Sequence, residues 1–251
     1  MLAMMMSVKP QSGGVVIEPC RGPGEPELAG SGLLLINPAE VRLADATVRK
    51  AGWQRHVFFP GTLYTAPAGP GWLAGPAVGA PVAVMALEKL VALGASTVIT
   101  LGWCGALAPG VEVGDIVLPT TALSEEGTSA HYPLTGGPAA ADDDLNRKLV
   151  GHLTEADFTV HAGPVWTTDA PYRETWGKVT DYRGRGILAV EMEFAALATV
   201  AAFRGVPLAS VLLVSDLVRE EQAWAPAFRH RDFRRQARRL LALLQDFITL
   251  T

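Results

Sequence analysis

Two segments in which an apolar, β-type run ends in a short polar or glycine-rich stretch constrain this chain most strongly. They span residues 100–132 and 189–216. This pattern is typical of a strand whose end holds a small-molecule site. In the second segment Glu191 and Glu193 open an alanine-rich helix, and Asp216 ends the next apolar strand.

These carboxylates have two interpretations. In the first, the glutamates complement the dipole at a helix start, and Asp216 caps the segment that follows it. In the second, carboxylates at a helix start and at a strand end, separated by one strand–helix–strand crossover, converge on one ligand. Their occurrence beside the first segment favours a functional site for Glu193 and Asp216. Glu191 lies two positions before Glu193 and is predicted to be structural.

The order of the predicted elements indicates the fold class. Strands that alternate with helices predict an α/β fold, with a mainly parallel sheet and helices on both faces. Turn-plus-strand patterns at 56–74 and 110–117 predict that part of the sheet closes toward a barrel. The glycine- and proline-rich residues 1–31 predict an irregular N-terminal arm, and residues 32–251 a single domain. We expect a strand at 97–101 to deliver a glycine tip at 102–105, and the acidic run 140–144 to be a solvated linker.

Charge and composition exclude several classes of function. A net charge of −4 over 251 residues gives no general attraction to nucleic acid or to acidic membranes. The arginine-rich stretch 229–239 predicts the solvated face of a C-terminal amphipathic helix. No apolar run reaches the roughly 18–20 residues of a membrane span, and the first ten residues lack the pattern of a secretory signal.

The cysteines and histidines point to no metal or redox chemistry. Cys20 and Cys104 are too few for a metal cluster and do not suggest a disulfide framework. The five histidines and the acidic run show no metal-ligand spacing. We therefore predict a cytoplasmic protein without a metal site.

Five motifs, in order along the chain, carry a resemblance to a known family. They are GWCGAL at 102–107, VGDIVLP at 113–119, EEGTSAHY at 125–132, VEMEFAAL at 190–197 and VSD at 214–216. Together they resemble the nucleoside phosphorylase/uridine phosphorylase family, which also contains nucleosidases that use water instead of phosphate. The resemblance covers residues 33–244, nearly the whole chain apart from the arm.

The resemblance implies a fold, a reaction and an assembly. The fold is a three-layer α/β/α sandwich around a mixed, partly barrel-like sheet. The reaction is cleavage of the N-glycosidic bond of a nucleoside by a pentosyltransferase, with inorganic phosphate as a possible co-substrate and no cofactor. The assembly is a homo-oligomer, either a dimer, a trimer or a hexamer, and neither nucleic acid nor a membrane is an expected partner.

The resemblance also assigns roles to residues that match the family's motifs. Asp216 matches the aspartate that gives a proton or hydrogen bond to the base, and its presence favours a purine because pyrimidine-type members usually lack it. Glu193 matches the glutamate that accepts hydrogen bonds from the ribose hydroxyls, and Met192 the methionine against the sugar. The residues that match positions around the base are Cys104, Gly105, Thr168 and Tyr172.

The phosphate region departs from the family pattern. Phosphorylases of the family hold the phosphate with arginines, one in the turn after the first strand and one before the glycine tip. Here Glu40 and Thr100 stand at those positions, and the tip itself reads Gly102-Trp103. Two lost charge-assisted hydrogen bonds cost about 3–6 kcal/mol of binding free energy.

Three interpretations of this departure stay open. The first is a phosphorylase whose phosphate site has been rebuilt. The second is a nucleosidase, in which water attacks and Glu40 is a possible general base. The third is a protein that binds a nucleoside or base without turnover.

Overall fold

The first strand, β1 (Ser31–Leu35), is buried along its whole length. A continuous run of leucines is typical of a strand that helices cover on both sides. Leu33 and Leu35 pack into one hydrophobic core and Leu34 into another, because successive side chains of a strand point to opposite faces of the sheet. The run therefore places β1 between two layers of helices.

The computed structural model describes residues 14–133, 139–220 and 224–250. Within these ranges strands and helices alternate along most of the chain. The strands are β1, β2 (Gln54–Val57), β3 (Thr62–Thr65), β4 (Trp72–Gly75), β5 (Thr97–Ala106), β6 (Ile116–Glu125), β7 (Val160–Thr168), β8 (Ala189–Glu191) and β9 (Leu208–Leu217). The helices are α1 (Pro38–Lys50), α2 (Ala80–Leu93), α3 (Asp143–Glu155), α4 (Trp176–Gly184), α5 (Phe194–Arg204) and α6 (Arg231–Leu250), and short 3₁₀ turns occur at Ser129–His131, Pro171–Arg173 and Ala227–Arg229.

The strands form one mixed sheet whose second half closes on itself. Its order is β2-β3-β4-β1-β5-β8-β7-β6-β9, and β9 also pairs with β5. The pairs β1–β4, β1–β5, β5–β9, β6–β7 and β7–β8 are parallel, whereas β2–β3, β3–β4, β5–β8 and β6–β9 are antiparallel. The pairing of β9 with β5 joins five strands into a small barrel. This confirms the predicted α/β fold with a partly barrel-like sheet.

Helices cover both faces of the sheet. The first core holds the buried faces of α2 and α5, and the second holds those of α1, α3 and α6. The long helix α6 buries apolar side chains at spacings of three and four residues, which is the pattern of an amphipathic helix. Within the three described ranges, no helix combines the length and the apolar character that crossing a membrane requires.

Two local expectations are wrong. The strand predicted at 97–101 continues as β5 to Ala106, so the glycine tip at 102–105 lies inside a strand, because β5 keeps partners in β8 and β9 along this stretch. The acidic run is not a solvated linker throughout. Asp142 accepts a hydrogen bond from Leu145 N at 2.8 Å and caps α3, whose first turn contains Asp143 and Asp144.

Of the predicted N-terminal arm, residues 14–30 form no helix or strand, and residues 1–13 lie outside the described residues.

Gly32 offers a test of how tightly β1 is packed. Gly32 pairs with Trp72 across β1 and β4, and a Cβ at Gly32 would lie 2.0 Å from the indole Cδ2 of Trp72. We expect Gly32→Ala to lower the free energy of unfolding by about 1–3 kcal/mol, because the buried ring must move. Urea unfolding measures this change. The control is Gly151→Ala on α3, where a Cβ meets nothing within 4 Å and where alanine should add about 0.5–1 kcal/mol. Equal effects of the two substitutions would contradict the packing described for β1.

Candidate functional site

The parallel pairing of β5 with β9 positions the first site residue. Gly105 pairs with Asp216, after a shift of register between Cys104 and Gly105. Irregularities of this kind re-aim a side chain at the end of a strand. A Cβ at Gly105 would lie 3.1 Å from Asp216 Oδ2, so a residue without a side chain lets the carboxyl group lie against the β5 backbone.

Asp216 accepts hydrogen bonds from two side chains. Ser215 Oγ donates to Oδ1 at 2.6 Å, and Trp224 Nε1 donates to Oδ2 at 2.9 Å. Each carboxylate oxygen has a second lone pair, so both atoms remain able to accept from a ligand. The carboxyl group is thus fixed in direction at the end of β9.

Glu191, the last residue of β8, holds the start of α5. Its Oε2 accepts from the backbone N–H groups of Glu193 and Phe194, each at 2.7 Å, and Oε1 accepts from the Thr167 hydroxyl. The first N–H groups of a helix have no partner within the helix, and this buried carboxyl supplies one. Burial, opposed by these hydrogen bonds, raises the pKa of Glu191 to about 7. These contacts agree with a structural role for Glu191.

Glu193 is buried at the N-cap position of α5 and reaches across to the start of α2. Its Oε1 accepts from the backbone N–H of Gly79 at 2.6 Å. Burial, and after it the nearby Glu191 carboxyl, raises the pKa of Glu193 to about 8. A buried carboxyl with a pKa near neutral is a frequent property of functional sites.

A cavity of about 520 Å³ brings these side chains together. We call it the site cavity. Asp216 and Glu193 both line it, and its volume lies within the range of ordinary ligand sites, about 300–1,000 Å³. Four further residues that the sequence predicts for the site also line the site cavity: Met192, Cys104, Gly105 and Tyr172.

Cys104 is a wall of this cavity and not a nucleophile. The side chain is buried, and burial, with the nearby carboxyls of Asp216 and Glu191, raises the pKa of its thiol well above the ordinary value. Only the thiolate is strongly nucleophilic, so the environment keeps Cys104 unreactive. Its position beside a base stays a prediction.

The predicted nucleophile region is divided between the site cavity and a second cavity. Trp103 lines both, Asn37 lines the site cavity, and Glu40 lines the second. Among the described residues, Asn37 Nδ2, Trp103 Nε1 and Glu40 Oε2 are buried atoms without a hydrogen-bond partner of good geometry. The indole and the amide nevertheless lie close enough to lower the pKa of Glu40, while burial has the larger effect and raises it to about 7. Two donors and one acceptor therefore meet at this wall.

Three predicted residues lie away from the site cavity. Thr100 is buried within the sheet, where its hydroxyl shares a hydrogen bond of 2.6 Å with Ser210 Oγ. Gly102 packs against Ile36 and Leu212. Thr168 is buried, and its hydroxyl accepts from the N–H of Ala170 at 3.3 Å. None of the three is part of the cavity lining.

Comparison with known families now decides the relationship. A profile of the phosphorylase superfamily matches residues 32–249. The chain belongs to the phosphorylase superfamily. The match spans both segments with which the sequence analysis began, and it confirms the resemblance to nucleoside phosphorylases.

Curated relatives within the superfamily share part of the chain. A guanosine phosphorylase of Halorubrum lacusprofundi is 38% identical over 137 residues, which cover 55% of this chain and 57% of that protein. A DeoD-type purine nucleoside phosphorylase of Bacillus cereus is 36% identical over 144 residues, which cover 57% of this chain and 61% of that protein. The chain thus spans about three fifths of the length of these curated relatives.

A solved structure shows the same fold. The uridine phosphorylase from Vibrio fischeri superposes with a TM-score of 0.74, covering 89% of this chain and 93% of that one. The sequence identity is 21%, so the likeness concerns the fold. It confirms the predicted nucleoside phosphorylase-like architecture.

Three residues of the site cavity in this superfamily member were missed by the sequence analysis. Glu174 and Trp224 lie in loops, and Arg219 lies just after β9. Burial and, secondly, the charge of Asp216 raise the pKa of Glu174 to about 7. Arg219 donates to Glu112 Oε1 at 2.6 Å. No periodic pattern marks loop residues, and only the glutamate's position shortly after the predicted Tyr172 could have suggested it.

A search of the described ranges finds no group of three or more histidine, cysteine, aspartate or glutamate side chains that could hold a metal ion.

The raised pKa of Glu40 predicts a pH-dependent stability. Between pH 4.5 and about 7 the unfolded chain has lost this proton while the folded chain keeps it, so stability falls as pH rises and the loss is complete above pH 7. A pKa difference of about 2.5 corresponds to at most about 3 kcal/mol. We expect Glu40→Gln to remove this loss. The unfolding free energy of the variant, relative to that of the wild type, should therefore increase between pH 5 and pH 8. Urea unfolding at both values measures it.

The control is Glu155→Gln at the exposed end of α3, which should follow the wild-type pH dependence. Parallel curves for Glu40→Gln and wild type would contradict the described burial of the Glu40 carboxyl.

Proposed function

We propose that this chain cleaves the N-glycosidic bond of a purine nucleoside in the site cavity, with inorganic phosphate as acceptor and without a cofactor. The observation that carries the proposal is the convergence of Asp216 and Glu193 on one cavity of about 520 Å³. Relatives named guanosine phosphorylase and purine nucleoside phosphorylase support the choice of a purine. A homo-oligomer in the cytoplasm stays a prediction of the resemblance and the composition.

Cleavage of this bond develops positive charge on the ribose ring and negative charge on the departing base. A group that gives a proton or hydrogen bond to the base, and acceptors for the sugar hydroxyls, stabilise that transition state. Asp216 faces the cavity from β9 and serves the base. Glu193 serves the ribose hydroxyls, with Met192 along the sugar. Gly105 leaves room for the flat base beside the β5 backbone.

Glu174 adds a second carboxyl group near Asp216. Asp216 accepts from two donors in the structure, whereas the Glu174 side chain has no hydrogen-bond partner among the described residues. Because the pKa of Glu174 is raised to about 7, part of the population carries a proton near neutral pH. We propose that Glu174 assists Asp216 at the base.

Substitution of the two carboxyl groups separates their roles. We expect Asp216→Asn to lower kcat/KM for purine nucleosides by about 10²–10⁴-fold, the usual effect of a general acid. Glu174→Gln should cost less and should change the pH profile near pH 7. The measurement is base release from inosine, guanosine, adenosine and uridine by liquid chromatography.

Asp181→Asn is the matched control, because this residue lies on α4 and pairs with Arg185 away from the cavity. Normal turnover by Asp216→Asn together with loss of turnover in Glu174→Gln would move the main role to Glu174. Absence of turnover in wild type, with nucleoside binding intact, would refute catalysis.

A second candidate function is hydrolysis of the same bond. The specific observation is the buried trio of Asn37 Nδ2, Trp103 Nε1 and Glu40 Oε2, in which two donors lie near an acceptor without a hydrogen bond of good geometry. A buried water requires two to four polar partners, and this trio offers them beside the site cavity. Arg219 is the one arginine in the described cavity lining, and it is already paired with Glu112. A neutral nucleophile therefore suits this wall better than a phosphate dianion does.

Product analysis separates the two functions. Phosphorolysis requires phosphate and releases ribose 1-phosphate, which ³¹P NMR detects. Hydrolysis proceeds without phosphate and releases free ribose. If water is activated by Glu40, we expect Glu40→Gln to lower the phosphate-independent rate by at least about 10²-fold with little change in KM. A rate that rises from zero with phosphate, and that Glu40→Gln leaves intact, would exclude hydrolysis.

A further inference from the structure

The second cavity, of about 470 Å³, shares Trp103 with the site cavity and has four arginines in its lining. Glu40 and Trp103 form part of its wall, and α6 forms another. The arginines that line it come from α1, from the 3₁₀ turn before α6 and from α6 itself: Arg42, Arg229, Arg234 and Arg238. We call it the arginine pocket.

The arginines that line the pocket have few partners: Arg234 donates to Phe228 O at 3.4 Å, and Arg42 lies near the Glu40 carboxyl. Among the described residues, none of the four that line the pocket takes part in an ion pair. By contrast, Arg235 pairs with Asp232 at 3.0 Å, and Arg239 lies 4.5 Å over the ring of Phe158 and donates to Ala156 O. Arg234 and Arg238 are four residues apart and so lie on one face of the helix. The face toward the pocket is thus left with unneutralised positive charge.

An apolar wall holds the pocket in shape. The rings of Trp103 and Phe228 stack nearly parallel, with centroids 5.7 Å apart and an interplanar angle of 9°. Phe233 packs edge-on to Trp103 at 5.4 Å. This packing fixes the first turn of α6, which carries Arg234, against β5. The start of the helix is therefore held in place, while the arginine side chains that line the pocket are exposed.

Polar atoms without partners also face this pocket. Glu40 is 1% exposed, and its Oε2 has no hydrogen-bond partner among the described residues. Trp103 Nε1 is likewise buried and without a partner. Buried polar groups are nearly always hydrogen-bonded. The Trp103 indole lies near the Glu40 carboxyl without a hydrogen bond of good geometry, so this part of the wall is incompletely satisfied.

We propose that the arginine pocket binds a phosphate-bearing small molecule at a site separate from the nucleoside. The planar, forked guanidinium group matches phosphate oxygens with paired donors, and several of them around one cavity favour a dianion. The volume admits free phosphate or a phosphate monoester of a sugar or nucleoside.

The location makes this site distinct from the reaction centre. None of the four arginines lines the site cavity, neither Asp216 nor Glu193 lines the arginine pocket, and Trp103 is the one described residue that lines both cavities. The overall charge of the chain is −4, so the chain as a whole does not attract polyanions. The proposed binding depends on the local arrangement of the arginines.

Calorimetric titration of the full chain tests the proposal. The probes are inorganic phosphate, ribose 5-phosphate and a nucleoside 5′-monophosphate. The variant is Arg234→Gln/Arg238→Gln. Its matched control is Arg231→Gln/Arg235→Gln, which removes the same charge from the same helix at positions outside the pocket lining. We expect saturable binding that the first pair weakens by about 10–100-fold and the control pair weakens less than threefold.

The probes also identify the source of the phosphate. Equal affinity for phosphate and for the monoesters indicates free phosphate, and tighter binding of a monoester indicates a phosphorylated metabolite. Both results support the pocket. No saturable binding of any probe, equal weakening by the two variant pairs, or full binding by Arg234→Gln/Arg238→Gln would overturn it. Displacement of a bound probe by heparin or single-stranded DNA from wild type and both variants alike would also overturn it, since that marks a solvated basic face.

Discussion

The pairing of β5 with β9 is the contact on which the rest of the molecule depends. It closes five strands into a barrel, and the same register sets Gly105 opposite Asp216. A sheet that stayed open here would leave Asp216 at an edge, far from the β8–α5 junction that carries Glu193. One interaction thus accounts for both the architecture and the convergence of the candidate site.

Burial of carboxyl groups is the main cost of this arrangement. Glu40, Glu191 and Glu193 are all buried, and burial is the largest cause of the raised pKa of each. Glu191 recovers much of that cost through two backbone N–H groups and a hydroxyl at the start of α5. Glu40 recovers less, because its Oε2 has no hydrogen bond of good geometry among the described residues, although the Trp103 indole and the Asn37 amide lie near the carboxyl. A buried group that is poorly compensated is more readily explained by a ligand than by stability.

Sequence patterns predicted the fold and the carboxyl pair of Asp216 and Glu193. There are physical reasons why they did not predict the remaining residues of the site. Asp216 and Glu193 follow apolar runs whose ends must meet in a closed α/β sheet, so the sequence alone could predict that the two carboxyl groups converge. Thr100 and Gly102 precede Cys104 on the same strand. Whether they reach the cavity depends on where the strand ends, and the alternation of side chains along a strand does not show its end. Glu174 lies in a loop, where no periodicity exists. Arg234 and Arg238 were predicted to lie on a solvated face, and both side chains are exposed. The cavity that they line was not predicted, because the surface that α6 packs against is fixed only by tertiary packing.

Trp103 connects these observations. In the family's phosphorylases, a small hydroxyl residue stands at the position of Trp103, and arginines hold the phosphate in the reaction cavity. Here the indole fills that volume and stacks on Phe228 and Phe233, so the packing of α6 reaches directly into the wall of the site. Glu40 lines the arginine pocket together with Trp103. The arginines that the family pattern places at the phosphate position are therefore missing here. Four other arginines line the neighbouring arginine pocket. The Trp103 ring is thus a direct contact between α6 and the cavity that Asp216 and Glu193 line.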